Sequence, residues 1–379
     1  MTPYSGLPFF CTLFIVLLPA AILGHCGKKL RPYGLLATVL VLLAVFEGWK
    51  AKLLLLLFWA VQTALCFGYL AVRKRCEKRW VLWLFLLGAL APLLLVKLAV
   101  FVPKLQLLAI LGVSYMTFRA VQVLIETYDG YIKTLNLLDF SYFLLFFPSV
   151  SSGPLDRYRR FCSDLAKEPD PEAYDKLAVE GFWKLMTGAF YSFVVGNLIL
   201  QYWLEALPQS GFGATVGYMY GYTFFMFFNF AGYSRMAIGS AYILGVKMPE
   251  NFNLPFLSKD MKDFWSRWHI SLSTWLRDYV YTRFCTQALR KKWFGGGRAS
   301  SYLGYFLTML LMGAWHGLTP AYLIYGAYHG ILMSANELLD TKWKRFRKLK
   351  KNTAFSILLI LITFHLFSFG LLIFSGRLI

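Results

Sequence analysis

Four long stretches without a charged side chain constrain this chain more than any other feature. They run over Ser5–Gly27, Leu53–Val72, Leu185–Leu204 and Thr353–Gly376. Each is close to or above the ~20 residues that an α-helix needs to cross the hydrocarbon core of a bilayer. Hydrophobic residues make up 58% of the chain and charged residues only 15%, whereas soluble proteins carry about 25% charged residues. The sequence therefore predicts an all-α polytopic membrane protein.

The apolar pattern divides the chain into about eleven membrane segments, some of them short or interrupted. These segments lie near 5–27, 33–49, 53–72, 80–102, 105–125, 138–155, 185–204, 212–246, 299–317, 320–338 and 353–376. The longest polar insert, at 156–180, is predicted to be a single loop. We expect one integral membrane domain over 1–379. Its parts would be N-terminal spans in 1–130, a central region in 131–298 and C-terminal spans in 299–379.

Four clusters of lysine and arginine predict the orientation, since such clusters favour the cytoplasmic side. They lie at 28–31, 73–79, 290–298 and 342–351. We expect the protein in the cell (plasma) membrane, with its N-terminus on the outer side. Leu7–Leu23 is expected to be a retained first span, because no Lys or Arg precedes it. The net charge of +20 also suits an acidic cytoplasmic partner, whereas nucleic acid is not expected because the basic groups are dispersed between spans.

The uncharged stretch from Ala299 to Asn336 lies between two of these basic clusters. The chain must therefore leave the cytoplasmic side and return to it within this stretch. Gly317 and Pro320 favour a turn there, which gives two membrane passes with His316 just before the turn.

A charged and aromatic stretch, Asp260–Arg283, is the most unusual part of the sequence. Its tryptophans and leucines recur at helical spacing, yet its charged residues are too costly for a simple span. We predict an amphipathic helix within 260–294 that is interfacial or re-entrant and carries His269. A plain interfacial anchor helix is the alternative, because Trp and basic residues favour that zone.

His316 lies in an apolar segment, where an ionisable group is a candidate functional residue. A neutral imidazole can take a proton from an acceptor hydroxyl near neutral pH, as acyl transfer requires. The alternative is a neutral histidine bonded to a backbone carbonyl. We expect His25, His329 and His365 to be bonded or interfacial. The six scattered cysteines are expected to be small apolar fillers rather than a disulfide framework or zinc site.

An apolar stripe follows the Trp-rich stretch, at positions that share one face of a helix. It consists of Tyr281, Phe284, Cys285, Ala288 and Leu289 and is followed by Arg290, Lys291 and Lys292. An apolar stripe beside basic residues on the cytoplasmic side could dock an acidic carrier protein. A helix lying on anionic membrane lipid fits the same pattern.

Five segments together resemble the membrane-bound O-acyltransferases over nearly the whole chain. They are GVSYMTFRAVQ (112–122), FFPSVSSGPLDRYRRF (146–161), FAGYSRMAIG (230–239), PENFNLPFLSKDMKDFWSRWHISLSTWLRDYVYTRF (249–284) and GAWHG (313–317). Within the family, the opening MTPYSGLPFF and the run ETYDGYIKTLNLLDFSYFLLFFPSVSSGPLDRYRRF resemble the branch that transfers D-alanine in teichoic-acid modification. The polysaccharide O-acetylase branch shares the FWSRWHISLSTWLRDY style and is the alternative.

This resemblance implies a ring of membrane helices with a thin centre and a funnel open to the outside. It assigns His316 as the catalytic histidine and His269 as the second motif histidine, on a helix that also carries Trp265, Arg267, Trp268 and Asp278. Arg235 stands where many family members have Asp, so no role is assigned to it.

The resemblance also implies the reaction partners. D-alanine would arrive on the phosphopantetheine of an acidic D-alanyl carrier protein, which the stripe Tyr281–Leu289 would meet, and would leave as an ester on teichoic acid. A small partner membrane protein could assist. No metal or bound cofactor is expected, because a thioester is already activated. A membrane transporter is the rival from another class, although the sequence shows no repeated halves, and a structural scaffold is a third possibility.

Overall fold

The computed structural model describes residues 1–296 and 298–378, whose regular structure is helical. The α-helices are α1 Gly6–His25, α2 Arg31–Val45, α3 Trp49–Arg73, α4 Arg79–Leu98, α5 Val113–Tyr128, α6 Leu137–Leu145, α7 Tyr158–Leu165, α8 Pro171–Ala189, α9 Asn197–Ile199, α10 Phe212–Ile243, α11 Met261–Arg267, α12 Ile270–Leu276, α13 Thr282–Arg290, α14 Ala299–His316, α15 Pro320–Lys342, α16 Lys344–Leu349 and α17 Thr353–Phe374. Short 3-10 helices lie at Pro103–Leu108, Phe147–Ser149, Pro255–Leu257 and Trp293–Gly296, and π-helical turns lie at Phe190–Gly196, Leu200–Leu204 and Arg277–Tyr281. One isolated antiparallel bridge joins Phe252 and Trp268.

Among the described residues, five helices are long and apolar enough to cross a membrane. They are α1, α3, α4, the continuous helix Pro171–Leu204, and α17. Side chains such as Phe14 and Ile15 on α1 are about two-thirds exposed, a pattern that is stable only with lipid around the helix. The chain is thus a multi-pass membrane protein, as the apolar runs predict. The count of about eleven segments and the ring arrangement stay predictions.

The structure confirms one prediction from the sequence and contradicts another. The predicted turn after His316 is confirmed, because α14 ends at His316 and α15 begins at Pro320. The single loop predicted at 156–180 is wrong, because that stretch contains α7 and the start of α8. Asp170 accepts a hydrogen bond from the Ala173 amide at 3.2 Å and Pro171 follows it, and this capping pattern starts a helix despite the polar composition.

The described chain folds into two compact units. The first comprises Met1–Phe190 and Gly232–Pro249, and the second comprises Tyr191–Ala231 and Glu250–Ile379, of which Ile379 and Gly297 lie outside the described residues. Both candidate histidines, His269 and His316, belong to the second unit.

A fully buried arginine organises the first unit. Arg119 on α5 donates hydrogen bonds to the carbonyls of Phe143, Leu144 and Ser149 at 2.8–3.0 Å and to the Ser149 hydroxyl at 2.7 Å. A buried charge is stable only with such a set of acceptors. Arg119 therefore connects two segments that the sequence singled out, GVSYMTFRAVQ and FFPSVSSGP.

The second unit is built on a close contact between α14 and α15. A Cβ atom at Gly313 would lie 2.4 Å from the Tyr322 carbonyl oxygen, and one at Gly326 would lie 2.7 Å from the Met309 carbonyl oxygen. Only glycine permits the two backbones to approach this closely. The hairpin therefore holds the end of α14, and with it His316, in a fixed position.

Candidate active site

The motif stretch is not one helix. The structure divides it into α11, α12, a π-helical turn and α13, so the predicted continuous amphipathic helix within 260–294 is wrong. The break falls at Trp268 and His269, where His269 has φ 45° and ψ 51°. This left-handed conformation is uncommon for a residue with a side chain and marks a position under constraint.

Asn251 enforces the break. Its backbone carbonyl accepts a hydrogen bond from the Ile270 amide at 3.0 Å. Its side-chain Oδ1 accepts from the Ser271 amide at 3.2 Å and from the Ser271 hydroxyl at 2.6 Å. The adjacent bridge between Phe252 and Trp268 continues this contact. Asn251 thus supplies the first turn of α12 with acceptors, and this fixes the backbone at His269.

His269 is buried, with 4% of its surface exposed. The Phe230 ring lies edge-to-face with the imidazole at a centroid distance of 4.7 Å. Its Nε2 atom has no hydrogen-bond partner within residues 1–296 and 298–378. A buried polar atom without a partner is costly in a purely structural residue. The Nε2 atom of His269 thus keeps hydrogen-bonding capacity that the described chain does not use.

His316 ends α14 and is half-buried. Four aromatic rings surround its imidazole, with centroid distances of 4.5 Å to Trp315, 5.0 Å to Phe374, 6.1 Å to Tyr322 and 6.3 Å to Tyr325. A ring packed on several sides has few rotamers available. The histidine is therefore both oriented and accessible, as a general base must be.

The two candidate histidines share one compact unit. The sequence separates them by more than forty residues. Folding of the second unit therefore places both motif histidines in one compact body.

The other predicted residues of the motif stretch differ in their surroundings. Trp268 packs against Phe367 at 4.8 Å and Phe264 at 5.7 Å, which makes it part of the core. Arg267 is paired with Asp263 at 2.7 Å. Asp278 accepts a hydrogen bond from neighbouring Arg277 at 3.0 Å and is 40% exposed.

Trp265 contacts a third histidine that the sequence did not favour. Its ring lies edge-to-face with that of His329 at 5.3 Å. His329 is fully buried, and neither ring nitrogen has a hydrogen-bond partner in the described part of the chain. The expectation that His329 is bonded or interfacial is wrong, because aromatic rings and Gly370 surround it. His25 does bond Asp175, and His365 bonds the Leu361 carbonyl.

A network of charged side chains fixes the start of α11. Asp260 accepts hydrogen bonds from the Lys262 and Asp263 amides at 2.9 Å. Lys262 pairs with Glu337 at 2.9 Å and Asp340 at 2.7 Å, and Lys350 pairs with Asp260 at 2.7 Å and Asp340 at 2.6 Å. Burial alone would raise the pKa of Asp340, but the hydrogen bonds from the two lysines outweigh it and lower that pKa.

The predicted carrier-docking residues fall into an inner and an outer set. Tyr281 stacks on Tyr305 at 4.4 Å, and the Cys285 thiol lies 3.4 Å from the Ser300 carbonyl, so both pack on α14. Phe284 is half-buried beside Trp293. The outer set is exposed and consists of Leu289, Arg290, Lys291, Lys292, Trp293 and Phe294. The docking role stays a prediction, and this exposed cluster is the part available to a partner.

The six cysteines fall into three groups, of which Cys76, Cys162 and Cys285 form the half-buried one. Cys66 is buried, as expected of an apolar filler, whereas Cys11 and Cys26 are exposed. The filler interpretation is therefore wrong for those two.

Comparison with known protein families identifies the family of this chain. The sequence profile of MBOAT, the membrane-bound O-acyltransferase family, matches residues 43–376. This match includes Asn251, His269, His316 and His329. The chain belongs to the membrane-bound O-acyltransferase family.

Individual members of the family are similar to this chain over nearly its whole length. A protein of Bacillus subtilis (strain 168) named teichoic acid D-alanyltransferase is 44% identical over 390 aligned residues, covering 100% of this chain and 98% of the relative. A protein of the same name from Streptococcus thermophilus is 36% identical and covers 99% and 95%. A probable alginate O-acetylase of Pseudomonas fluorescens is 31% identical, covering 97% of this chain and 74% of the relative.

Proposed function

We propose that this chain transfers D-alanine from a thioester donor to hydroxyl groups of teichoic acid. The observation that carries this proposal is the 44% identity over the whole chain with a protein named teichoic acid D-alanyltransferase. The alignment covers 98% of that relative, so nearly all of its sequence has a counterpart in this chain. The donor would be the phosphopantetheine thioester of an acidic D-alanyl carrier protein, and the enzyme itself would need no bound cofactor.

The chemistry that this proposal requires is simple. The acceptor hydroxyl oxygen attacks the thioester carbonyl carbon, a C–O ester bond forms, and the C–S bond breaks. The hydroxyl proton passes to the His316 imidazole and then to the departing sulfur, which leaves as a thiol. Partial burial and the aromatic contacts of His316 support this role as general base, because a held imidazole needs little reorganisation to accept a proton.

His269 would position the donor or the acceptor beside His316. The support is its buried Nε2, which has no partner in the described chain and can bond a substrate oxygen or amide. Trp265 and Trp268 would hold the surrounding backbone through their packing. Arg267 and Asp278, both paired with neighbours, would shape the wall of the substrate passage.

The carrier would dock on the exposed cluster Leu289–Phe294, with help from Tyr281, Phe284 and Cys285 through the position of α13. Apolar Leu289, Trp293 and Phe294 beside Arg290, Lys291 and Lys292 match an acidic partner with an apolar centre. Predicted cytoplasmic placement of this basic cluster supports the same assignment.

The membrane arrangement would follow the family pattern. We place the chain in the plasma membrane with about eleven segments, its N-terminus outside, and a ring of helices around a thin centre with an outward funnel. The five apolar helices and the basic clusters support this arrangement. A small membrane protein could relay D-alanine outside.

O-acetylation of a polysaccharide is the second candidate. The 31% identity with a probable alginate O-acetylase over 97% of this chain favours it. General-base chemistry at His316 would serve either reaction, so the site alone does not choose the acyl group. The higher identity with the D-alanyltransferases makes D-alanine the first choice.

A transfer assay tests the proposal. Vesicles from native membranes that hold this chain and any partner subunit are given carrier protein loaded with radiolabelled D-alanine. We expect label in lipid-linked teichoic acid. If no label is transferred from the carrier, but an acetyl donor labels polysaccharide, the chain would belong to the O-acetylase branch instead. Accumulation of substrate inside sealed vesicles without ester formation would favour a transporter.

A further inference from the structure

The first unit contains a cavity of about 600 Å³ between the end of α1, the start of α2, the start of α8 and the residues that follow α10. Gly24 on α1 and Lys28 in the segment after α1 line it, and Tyr174 and Lys176 line it from α8. The Tyr174 hydroxyl donates to the carbonyls of Ala20 and Ile243 at 3.2 and 2.8 Å. The cavity is therefore a concave site with a fixed wall, and neither His269 nor His316 is among its lining residues.

Positive charge dominates the lining. The basic residues that line it are Lys28, Lys29, Arg31, Lys167, Lys176 and Lys247, and the acidic ones are Asp164, Glu168, Asp170 and Glu180. Some of these charges are already matched, since Lys29 pairs with Glu168 at 3.1 Å and Lys167 with Asp164 at 2.7 Å.

Lys28 and Lys247 are different. Both are exposed, and neither ammonium group has an ion pair within the described residues. Helix α2 begins at Arg31 beside them with no acidic residue in its first turn. A helix start carries partial positive charge, which adds to that of the two lysines. The cavity thus offers unmatched positive charge to an anion.

Two of the helices that contribute to the cavity also carry exposed apolar side chains. On α1, Leu18 and Ile22 are 47% and 56% exposed, and on α8, Phe182 and Trp183 are 49% and 62% exposed. Both helices belong to candidate membrane spans. A ligand with a charged head in the cavity would thus find apolar surface for its chains along α1 and α8.

We propose that this cavity binds the phosphate headgroup of an anionic glycerophospholipid. Lys28 and Lys247 contact the phosphate, and the acyl chains lie along the exposed apolar faces of α1 and α8. Basic pockets between membrane helices recognise anionic headgroups in this way. A soluble phosphate ester would share the charge contacts but would make no use of the apolar surface.

Binding of dioctanoyl phosphatidylglycerol to the full chain in detergent tests this assignment. The double variant Lys28→Gln/Lys247→Gln removes both unmatched charges, and we expect about thirtyfold weaker binding. Lys28→Gln alone should weaken binding about fivefold. Lys28→Arg/Lys247→Arg should retain binding. The matched control is Lys74→Gln/Lys78→Gln, two exposed lysines of another basic cluster, which should leave binding unchanged.

Three results would overturn the proposal. The first is an equal loss of binding in the control, which would show only a general effect of net charge. The second is equally tight binding of dioctanoyl phosphatidylcholine, which has no net charge. The third is displacement of the lipid by glycerol 3-phosphate or inorganic phosphate at similar concentrations, which would make the ligand a soluble phosphate. Elution of each variant at the wild-type volume on gel filtration confirms that the comparison concerns folded protein.

Discussion

Replacing Asn251 with alanine tests whether this buried amide holds the backbone at His269. The change removes the acceptor of two hydrogen bonds from Ser271, at 3.2 and 2.6 Å. Each such bond contributes about 1 kcal/mol net, so the expected loss in the free energy of unfolding is about 2 kcal/mol. For a domain of about 200 residues this corresponds to a fall of roughly 5 °C in the thermal midpoint.

Activity should fall further than stability suggests. His269 follows the bridge at Trp268 directly, and a shift of about 1 Å in a positioning group costs roughly a hundredfold in rate. The assay measures D-alanine transfer from the carrier at a temperature well below the midpoint of the variant, so that all of the protein is folded.

Asn253→Ala is the matched control. Asn253 is two residues away, and its side chain is exposed, so the same chemical change should alter neither the midpoint nor the rate. If Asn251→Ala behaves like Asn253→Ala in both measurements, the proposed role of Asn251 is refuted.

Two further predictions concern the framework of the site. Gly313→Ala places a Cβ atom 2.4 Å from the Tyr322 carbonyl and should destabilise the α14–α15 contact by about 1–3 kcal/mol, which thermal unfolding in detergent measures; an unchanged midpoint would contradict the close packing. The pKa of Asp340 is lowered in the folded protein. Its ion pairs therefore contribute fully to the free energy of unfolding above the ordinary Asp pKa of about 3.9, and this contribution is lost as the pH falls through the lower folded pKa. The midpoint should therefore drop below about pH 4, and Lys262→Gln should reduce that drop; equal acid sensitivity in the variant would argue against the network.

The sequence predicts the membrane class and the hairpin around His316 because both depend on local patterns. Long apolar runs need lipid, and glycine and proline after His316 favour a turn. It also selects His269 and His316 as the candidate site, since an ionisable imidazole in an apolar or aromatic setting is unusual.

Long-range contacts account for what the sequence does not predict. Helical spacing across 260–294 favours one helix, yet Asn251 and Phe252 break it by bonding and bridging from a preceding loop. Nothing in the local pattern marks Asn251 as an acceptor, although it lies in the PENFNLPF segment of the family resemblance. His329 is similar, because only the packing of α15 against Trp265 shows that it is buried without hydrogen bonds.

The most direct measurement of the central claim is single-turnover transfer of D-alanine by a His316→Ala variant. His365→Ala is the matched control, because His365 is exposed and bonded only within its own helix in the described structure. Loss of a general base lowers a rate by about 10²–10⁴-fold, so we expect at least a hundredfold loss for His316→Ala and wild-type transfer for the control. Wild-type turnover by a folded His316→Ala protein would contradict the assignment of His316 as the base.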